Sequence, residues 1–175
     1  MQIERLVLGG GCFWCTEAVF LNVKGVSKVV SGYTGGHRPN PTYENICTGV
    51  SGHAEIIDIE YDSEIISLEN LLEIFFVIHD PTTLNQQGAD RGTQYRSVIY
   101  YASENEKSTI ENAIAKAQYN FNDKIMTEVS ELGKVYSAES YHQDYYRLNS
   151  SQGYCQAVIS PKLQKFMMKF PEHLG

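Results

Sequence analysis

Apolar and polar positions along the chain divide it into short segments with clear boundaries. Residues 3–9, Ile-Glu-Arg-Leu-Val-Leu-Gly, read as a short buried strand closed by the Gly9-Gly10-Gly11 run. Beyond it Phe13, Val19, Phe20 and Val23, with no breaker until Gly25, predict a helix of about three turns over 12–23. A second strand, rich in β-branched residues, is expected over Val26–Tyr33, then a Gly- and Pro-rich loop from Thr34 to Asn40 leading through Tyr43 and Cys47. The third strand, Ala54–Tyr61, alternates so that Glu55, Ile57, Ile59 and Tyr61 share a face.

Ser67 is placed to cap a helix whose Leu68, Leu71, Leu72, Phe75 and Ile78 recur at helical spacing, and Asp80-Pro81 ends it. The polar stretch Thr82–Thr93 precedes a strand at Tyr95–Tyr101, and Ser103 with Glu106 reads as a capping box for a helix running to about Phe121. A fifth strand near Ile125–Leu132, a helix near Ala138–Leu148 and a last helix from Pro161, capped by Ser160, complete the pattern. The first six elements follow the ferredoxin-like βαββαβ order. The expected class is therefore α+β, a mixed sheet flanked by helices with a C-terminal helical extension.

The 175 residues suit a single domain, 1–175, without internal repeats or a linker. With 42% apolar and 20% charged residues, disorder is excluded. Lys and Arg number 14 against 21 acidic residues, a net charge of −7, and no basic cluster occurs, which argues against a nucleic-acid partner. No segment approaches the ~18 apolar residues of a membrane span, and Met1–Arg5 lacks the features of a secretory signal. A cytoplasmic protein with mostly reduced cysteines is expected.

Cys12 lies where a strand passes through glycines into the first turn of a helix. Unpaired N–H groups and the positive end of the helix dipole there favour a thiolate, which makes Cys12 the best nucleophile candidate. Phe13 and Trp14, next to it, are either core residues or walls of a small apolar pocket. The glycines do not form a phosphate cradle, because no Lys-Ser/Thr follows and the G-x-G-x-x-G spacing is absent. Cys12 and Cys15 form a C-x-x-C pair; Cys47 and Cys155 stand alone, so the four-ligand set of a zinc site is missing and redox use is favoured.

Glu55, at the head of the third strand, is either an acid held protonated against an apolar surface or an ordinary strand-edge glutamate. Tyr43 and Tyr95 could donate to a developing oxyanion or merely cap the core edge, as most of the 12 tyrosines must. Asp90 and Arg91 read equally well as a surface pair, and His142 as an ordinary helical histidine.

Taken together, Gly11-Cys12-Phe13-Trp14, Gly52-His53-Ala54-Glu55, Asp90-Arg91-Gly92-Thr93-Gln94-Tyr95-Arg96-Ser97 and Tyr141-His142-Gln143-Asp144-Tyr145 resemble the A-type peptide-methionine (S)-S-oxide reductases, in that family's order and over almost the whole chain. The resemblance implies an enzyme that reduces methionine-S-sulfoxide, free or in proteins, with Cys12 as nucleophile and Phe13 and Trp14 as the wall that receives the substrate methyl group. It makes Glu55 the acid that protonates the sulfoxide oxygen, Tyr43 and Tyr95 the phenols that bind that oxygen, and Asp90, His142 and Tyr145 further substrate-binding groups, the last two at the rim.

A sulfenic acid on Cys12 would condense with a second thiol, and thioredoxin or dithiothreitol would reduce the disulfide, without metal or organic cofactor. The familiar motif of the family carries Gly where Cys15 stands, and its Gly-rich tail is replaced here by residues 153–162 around Cys155. Cys15 is the expected resolving thiol, with Cys155 as the alternative and Cys47 structural. A thioredoxin-like oxidoreductase would also place C-x-x-C at a helix start, but it leaves the downstream segments without a role.

Overall fold

Strand β1 (Ile3–Gly9) buries Leu6, Val7 and Leu8 in succession, because both faces of the sheet are covered at its centre. The computed structural model describes residues 1–175. β1 lies antiparallel between β3 (Ala54–Asp62), with Leu6 opposite Ile59, and β6 (Val98–Tyr101), with Leu8 opposite Ile99. β2 (Val26–Thr34) pairs with the far side of β3, setting Tyr33 opposite Glu55. Helix α1 (Phe13–Phe20) connects β1 to β2, and α3 (Leu68–Ile78) connects β3 to β6. The central order β6-β1-β3-β2 is that of the ferredoxin-like unit. β7 (Glu128–Glu131) adds a parallel edge beside β6 and β8 (Tyr136–Ser137) an antiparallel edge beside β2, so the six-stranded sheet is mixed.

The main core fills the helix side of the sheet, where Leu6, Leu8, Ile57 and Ile59 meet Phe20, Phe75 and Phe166. Each such fully buried side chain contributes about 1.5–3 kcal/mol. A smaller cluster on the other face joins Val7, Ala54, Ile56, Val98 and Tyr100 to Leu132 and Val135, which is why β3 buries Ile56 as well as the alternating positions. The Ser67 hydroxyl caps α3 by accepting the Asn70 N–H at 3.2 Å.

Several local elements differ from the sequence pattern. α1 stops at Phe20, because Val23 leaves the helix to bridge to Leu174 near the C-terminus. The loop before β3 contains the short helix α2 (Tyr43–Cys47), started by a capping box in which Thr42 and Asn45 exchange bonds. The polar stretch forms a ribbon of β4 (Gln86–Gln87) and β5 (Asp90–Arg91), and Tyr95 lies in the 3-10 turn Thr93–Tyr95, ahead of the strand. Helix α4 (Glu104–Gln118) accepts only one half of the expected capping box, the Glu106 N–H to Ser103 hydroxyl bond at 3.3 Å.

The helix expected over 138–148 is not continuous. A 3-10 turn, Ser140–His142, is separated from α5 (Tyr145–Asn149) by Asp144 in the left-handed region at φ 56°. The Gln143 amide causes the break by bonding the Ser31 N–H and C=O of β2, at 2.9 Å each, which fixes the chain to the sheet. A π-helical segment, Cys155–Ile159, runs into α6 (Ser160–Lys169), so Ser160 is no cap; its hydroxyl bonds the Tyr146 phenol at 2.6 Å.

Candidate active site

Two glycines draw the start of α1 in, Gly9 against β3 and Gly11 against β4. A side chain at Gly9 would strike the Glu55 carbonyl oxygen, and Gly11 has φ 85° with Gln87 Cγ 2.7 Å from where a Cβ would stand. The Gly11 N–H then bonds the Tyr95 carbonyl at 3.2 Å, tying the turn to the 3-10 segment. Cys12 follows as the N-cap of α1, half-buried and in extended backbone.

The electrostatics of Cys12 overturn the thiolate expectation. The Phe13 N–H, first of the helix, donates at 3.1 Å to Glu55 Oε1, so this donor does not serve the sulfur. Burial pushes the Cys12 thiol well above its usual range, with the Glu55 and Cys15 charges adding to the rise against weaker help from the Trp14 N–H and the Tyr154 hydroxyl. Cys12 is therefore a neutral thiol at pH 7. An eight-residue helix whose leading N–H is already engaged cannot offset that desolvation.

Glu55 is buried, 1% exposed, which removes the strand-edge reading. Burial first, and the Asp90 charge behind it, raise its pKa to about 8 against the opposing Phe13 hydrogen bond, so the carboxyl is protonated at neutral pH.

Trp14 stacks on Tyr145 with ring centroids 3.8 Å apart, and its indole N–H donates to His142 Nδ1 at 3.0 Å. That bond puts the imidazole proton on Nε2, which has no partner. His142 is 1% exposed and packs against the Trp14 indole, not at the rim; burial lowers its pKa, keeping it neutral. Phe13 is buried in the core beneath, its ring 5.1 Å from His142 and 5.6 Å from Tyr33.

The Trp14–Tyr145 stack is held by Glu17, buried on α1, whose carboxylate accepts the Asp144 N–H at 2.9 Å and the Tyr145 N–H at 3.3 Å. Glu17→Ala is expected to lower unfolding stability by about 2–4 kcal/mol in urea titration, since two N–H groups lose their acceptor.

Tyr43 begins α2 and is fixed by its N–H to Glu139 Oε2 at 2.9 Å, with its ring 4.5 Å from His142. Burial raises the Tyr43 and Tyr95 phenols, Cys47 adding most of the rest for Tyr43 and Glu55 for Tyr95, so both remain O–H donors. Asp90 accepts the Tyr154 hydroxyl at 2.9 Å. That same hydroxyl lies 3.8 Å from Cys15 Sγ, and the Tyr154 ring meets Trp14 edge-on at 5.9 Å. Tyr154 is the site residue that sequence reasoning missed; its position next to Cys155 was the only signal.

Cys12, Cys15, Asp90 and Tyr154 line one pocket of about 150 Å³. Cys15, 2% exposed, and Cys155, fully buried, pack together with Ala18 and Ile159, and Cys12 contacts that cluster. Cys47 is exposed on α2. No group of three or more His, Cys, Asp or Glu side chains is disposed to hold a metal ion.

A cysteine hydrolase sets an imidazole beside its thiol. Here His142 is engaged by Trp14, and His79 by the Phe75 carbonyl and the Ser97 hydroxyl. A thiol faced instead by a protonated carboxyl and phenols, with two more thiols behind it, places the molecule among the cysteine-dependent oxidoreductases.

Residues 4–174 match the family described as Peptide methionine sulfoxide reductase. The chain is 54% identical over 171 residues to Peptide methionine sulfoxide reductase MsrA of Polynucleobacter asymbioticus, covering 96% of this chain and 90% of that protein. Among solved structures it is similar to reduced Mxr1 from Saccharomyces cerevisiae, with TM-score 0.82 and 31% identity over 88% of this chain and 90% of that one. Mxr1 in complex with Trx2 shares the fold, with TM-score 0.58 and 22% identity over 82% of this chain and 85% of that one. The chain belongs to the peptide methionine sulfoxide reductase family.

Proposed function

We propose that residues 1–175 act as one catalytic domain that reduces methionine-S-sulfoxide, free or in proteins, to methionine and so repairs oxidised proteins. The observation that carries this assignment of roles is Glu55, buried and protonated, bonded to the helix turn that carries Cys12. Trp14, over Phe13, receives the substrate methyl group, with Tyr145 and His142 fixing the indole from behind and Asp90 holding Tyr154 beside the pocket.

A sulfoxide sulfur is a poor electrophile until its oxygen is protonated. Glu55 supplies the proton while the Tyr43 and Tyr95 phenols hydrogen-bond the oxygen. Cys12 attacks the sulfur, and its own proton passes to the Glu55 carboxylate, so no net proton is taken up. The adduct collapses as the oxygen passes from the substrate sulfur to the Cys12 sulfur and the bond between the two sulfurs breaks, releasing methionine and leaving Cys12 as a sulfenic acid.

Cys15 then condenses with the sulfenic acid. Both cysteines line the same pocket, and the Cys15 N–H already bonds the Cys12 carbonyl at 3.1 Å, whereas Cys155 lies behind Cys15. A dithiol reductant, thioredoxin in the cell or dithiothreitol in vitro, restores the enzyme; Mxr1, which shares this fold, has been solved with Trx2 bound. The chemistry calls for no metal or organic cofactor. No helix is long and apolar enough to cross a membrane. We place the protein in the reducing cytoplasm, where dithiol reductants are at hand to reopen the disulfide.

One turnover without reductant tests the reading. Reduced protein given racemic methionine sulfoxide should release about one methionine per chain, lose two titratable thiols and leave the R epimer untouched. Peptide mapping should then find Cys12 joined to Cys15. Failure to form methionine would end the reading, and a Cys12–Cys155 bridge would transfer the resolving role to Cys155.

A further inference from the structure

Closure of the disulfide needs Cys15 as a nucleophile, yet Cys15 is 2% exposed and burial raises its pKa. The pocket behind it contains a cation that the first reaction step leaves unused. Lys162, in the first turn of α6, is half-buried and lines the pocket with Cys12, Cys15, Asp90, Tyr154 and Val158, where it is the only basic residue. It makes none of the molecule's ion pairs, which belong to other residues.

We propose that Lys162 is a positioning residue for the second step, favouring ionisation of Cys15 to the thiolate that attacks the Cys12 sulfenic acid. The inference rests on the reading above that Cys15 is the resolving thiol. The groups that face Cys15 explain why this lysine is needed. Asp90 on β5 disfavours a second negative charge, as does desolvation, while Glu55 on β3 has its proton back at this stage. The Tyr154 hydroxyl helps the thiolate but is committed to Asp90. From α5, Tyr145 and Tyr146 pack against the cluster with their hydroxyls bonded to Gln152 and Ser160, while Arg147 pairs with Asp144, and burial keeps Cys155 a neutral thiol. Lys162 is thus the one positive charge acting on Cys15, and it opposes burial more than any other group does.

In the step itself the Cys15 sulfur forms a bond to the Cys12 sulfur and the Cys12 sulfur–oxygen bond breaks. The hydroxide that leaves takes up the proton given off by the Cys15 thiol and departs as water. Cys15 is oxidised and the Cys12 sulfur is reduced from the sulfenic level. Lys162 takes no covalent part in the step.

The adjoining hollow supplies a control. Lys162 also lines a second, more open cavity that includes Lys165 and Asp80, but Lys165 does not reach the thiol pocket. The experiment follows one turnover of racemic N-acetylmethionine sulfoxide without reductant. Quenched-flow methionine release gives the first step, and loss of free thiols together with dimedone trapping gives disulfide closure.

In Lys162→Gln the ratio of closure to burst rate should fall about tenfold at pH 7, with dimedone-trapped Cys12 accumulating and the pH–rate profile of closure moving up by about one pH unit. Lys162→Arg should restore the ratio to within about twofold, and Lys165→Gln should match the parent. An unchanged ratio and profile in Lys162→Gln, or an equal effect in Lys165→Gln, would overturn the proposal. A parent peptide map joining Cys12 to Cys155 would overturn the reading beneath it, and no methionine burst in the parent would overturn the reaction.

Discussion

Replacing Cys12 with serine is expected to lower the single-turnover rate of methionine formation by about 10^4-fold or more, because the hydroxyl is a far weaker nucleophile toward sulfur and cannot carry a sulfenic acid. The position makes the substitution unusually clean. Cys12 is half-buried and forms the N-cap of α1 with extended backbone and no side-chain cap bond. Serine is among the preferred N-cap residues, so α1 should be kept or slightly stabilised, and thermal unfolding of the variant should match or exceed the parent. Loss of rate without loss of stability would assign the effect to the sulfur atom. Retention of more than about one per cent of parental turnover would remove Cys12 from the chemistry.

Glu55→Gln should slow the same step by about 10^2- to 10^4-fold, since the amide can hydrogen-bond the sulfoxide oxygen but cannot protonate it. The pH dependence carries the sign. The carboxyl must be protonated to act and titrates at about 8, so parental methionine formation should fall as pH rises through that value, tenfold per unit beyond it. Cys12 titrates well above the ordinary thiol range, so its ionisation does not mask this limb. The variant should lack the inflection near 8. A parent profile that rises between pH 7 and 9 would sink the assignment of Glu55 as acid.

Stability changes in the matching direction. The folded-state value of Glu55 is raised above the ordinary 4.5, so its contribution is fully present below about 4.5 and is lost as pH rises to about 8. Over that window Glu55→Gln should gain on the parent by at most about 1.4 kcal/mol per pH unit, as read from urea midpoints at several pH values.

Much of the scaffold was legible because it is written in local periodicity. The apolar run of β1, the alternation of β3 and the spacing of α3 with its Ser67 cap each specify an element without reference to the rest of the chain. The break at Asp144 was not legible. It depends on Gln143 reaching β2 across 112 residues, and a local pattern that fits a helix as well as a turn cannot encode that bond. Tyr154 was missed for the same reason: its partners, Asp90 and Cys15, lie 64 and 139 residues away.

The sequence alone determined which chemical groups this protein has to work with: a cysteine after three glycines at a helix start, an acid at the head of a strand, phenols near both, and the order of elements that brings them to one end of a sheet. Tertiary structure decided their states. Folding places Glu55 against the Phe13 N–H 42 residues away, withdraws Cys12, Cys15 and Glu55 from water, and sets Lys162 beside the thiol pocket. Protonation depends on desolvation and on charges brought near by the fold, and neither is a property of neighbouring positions in the chain.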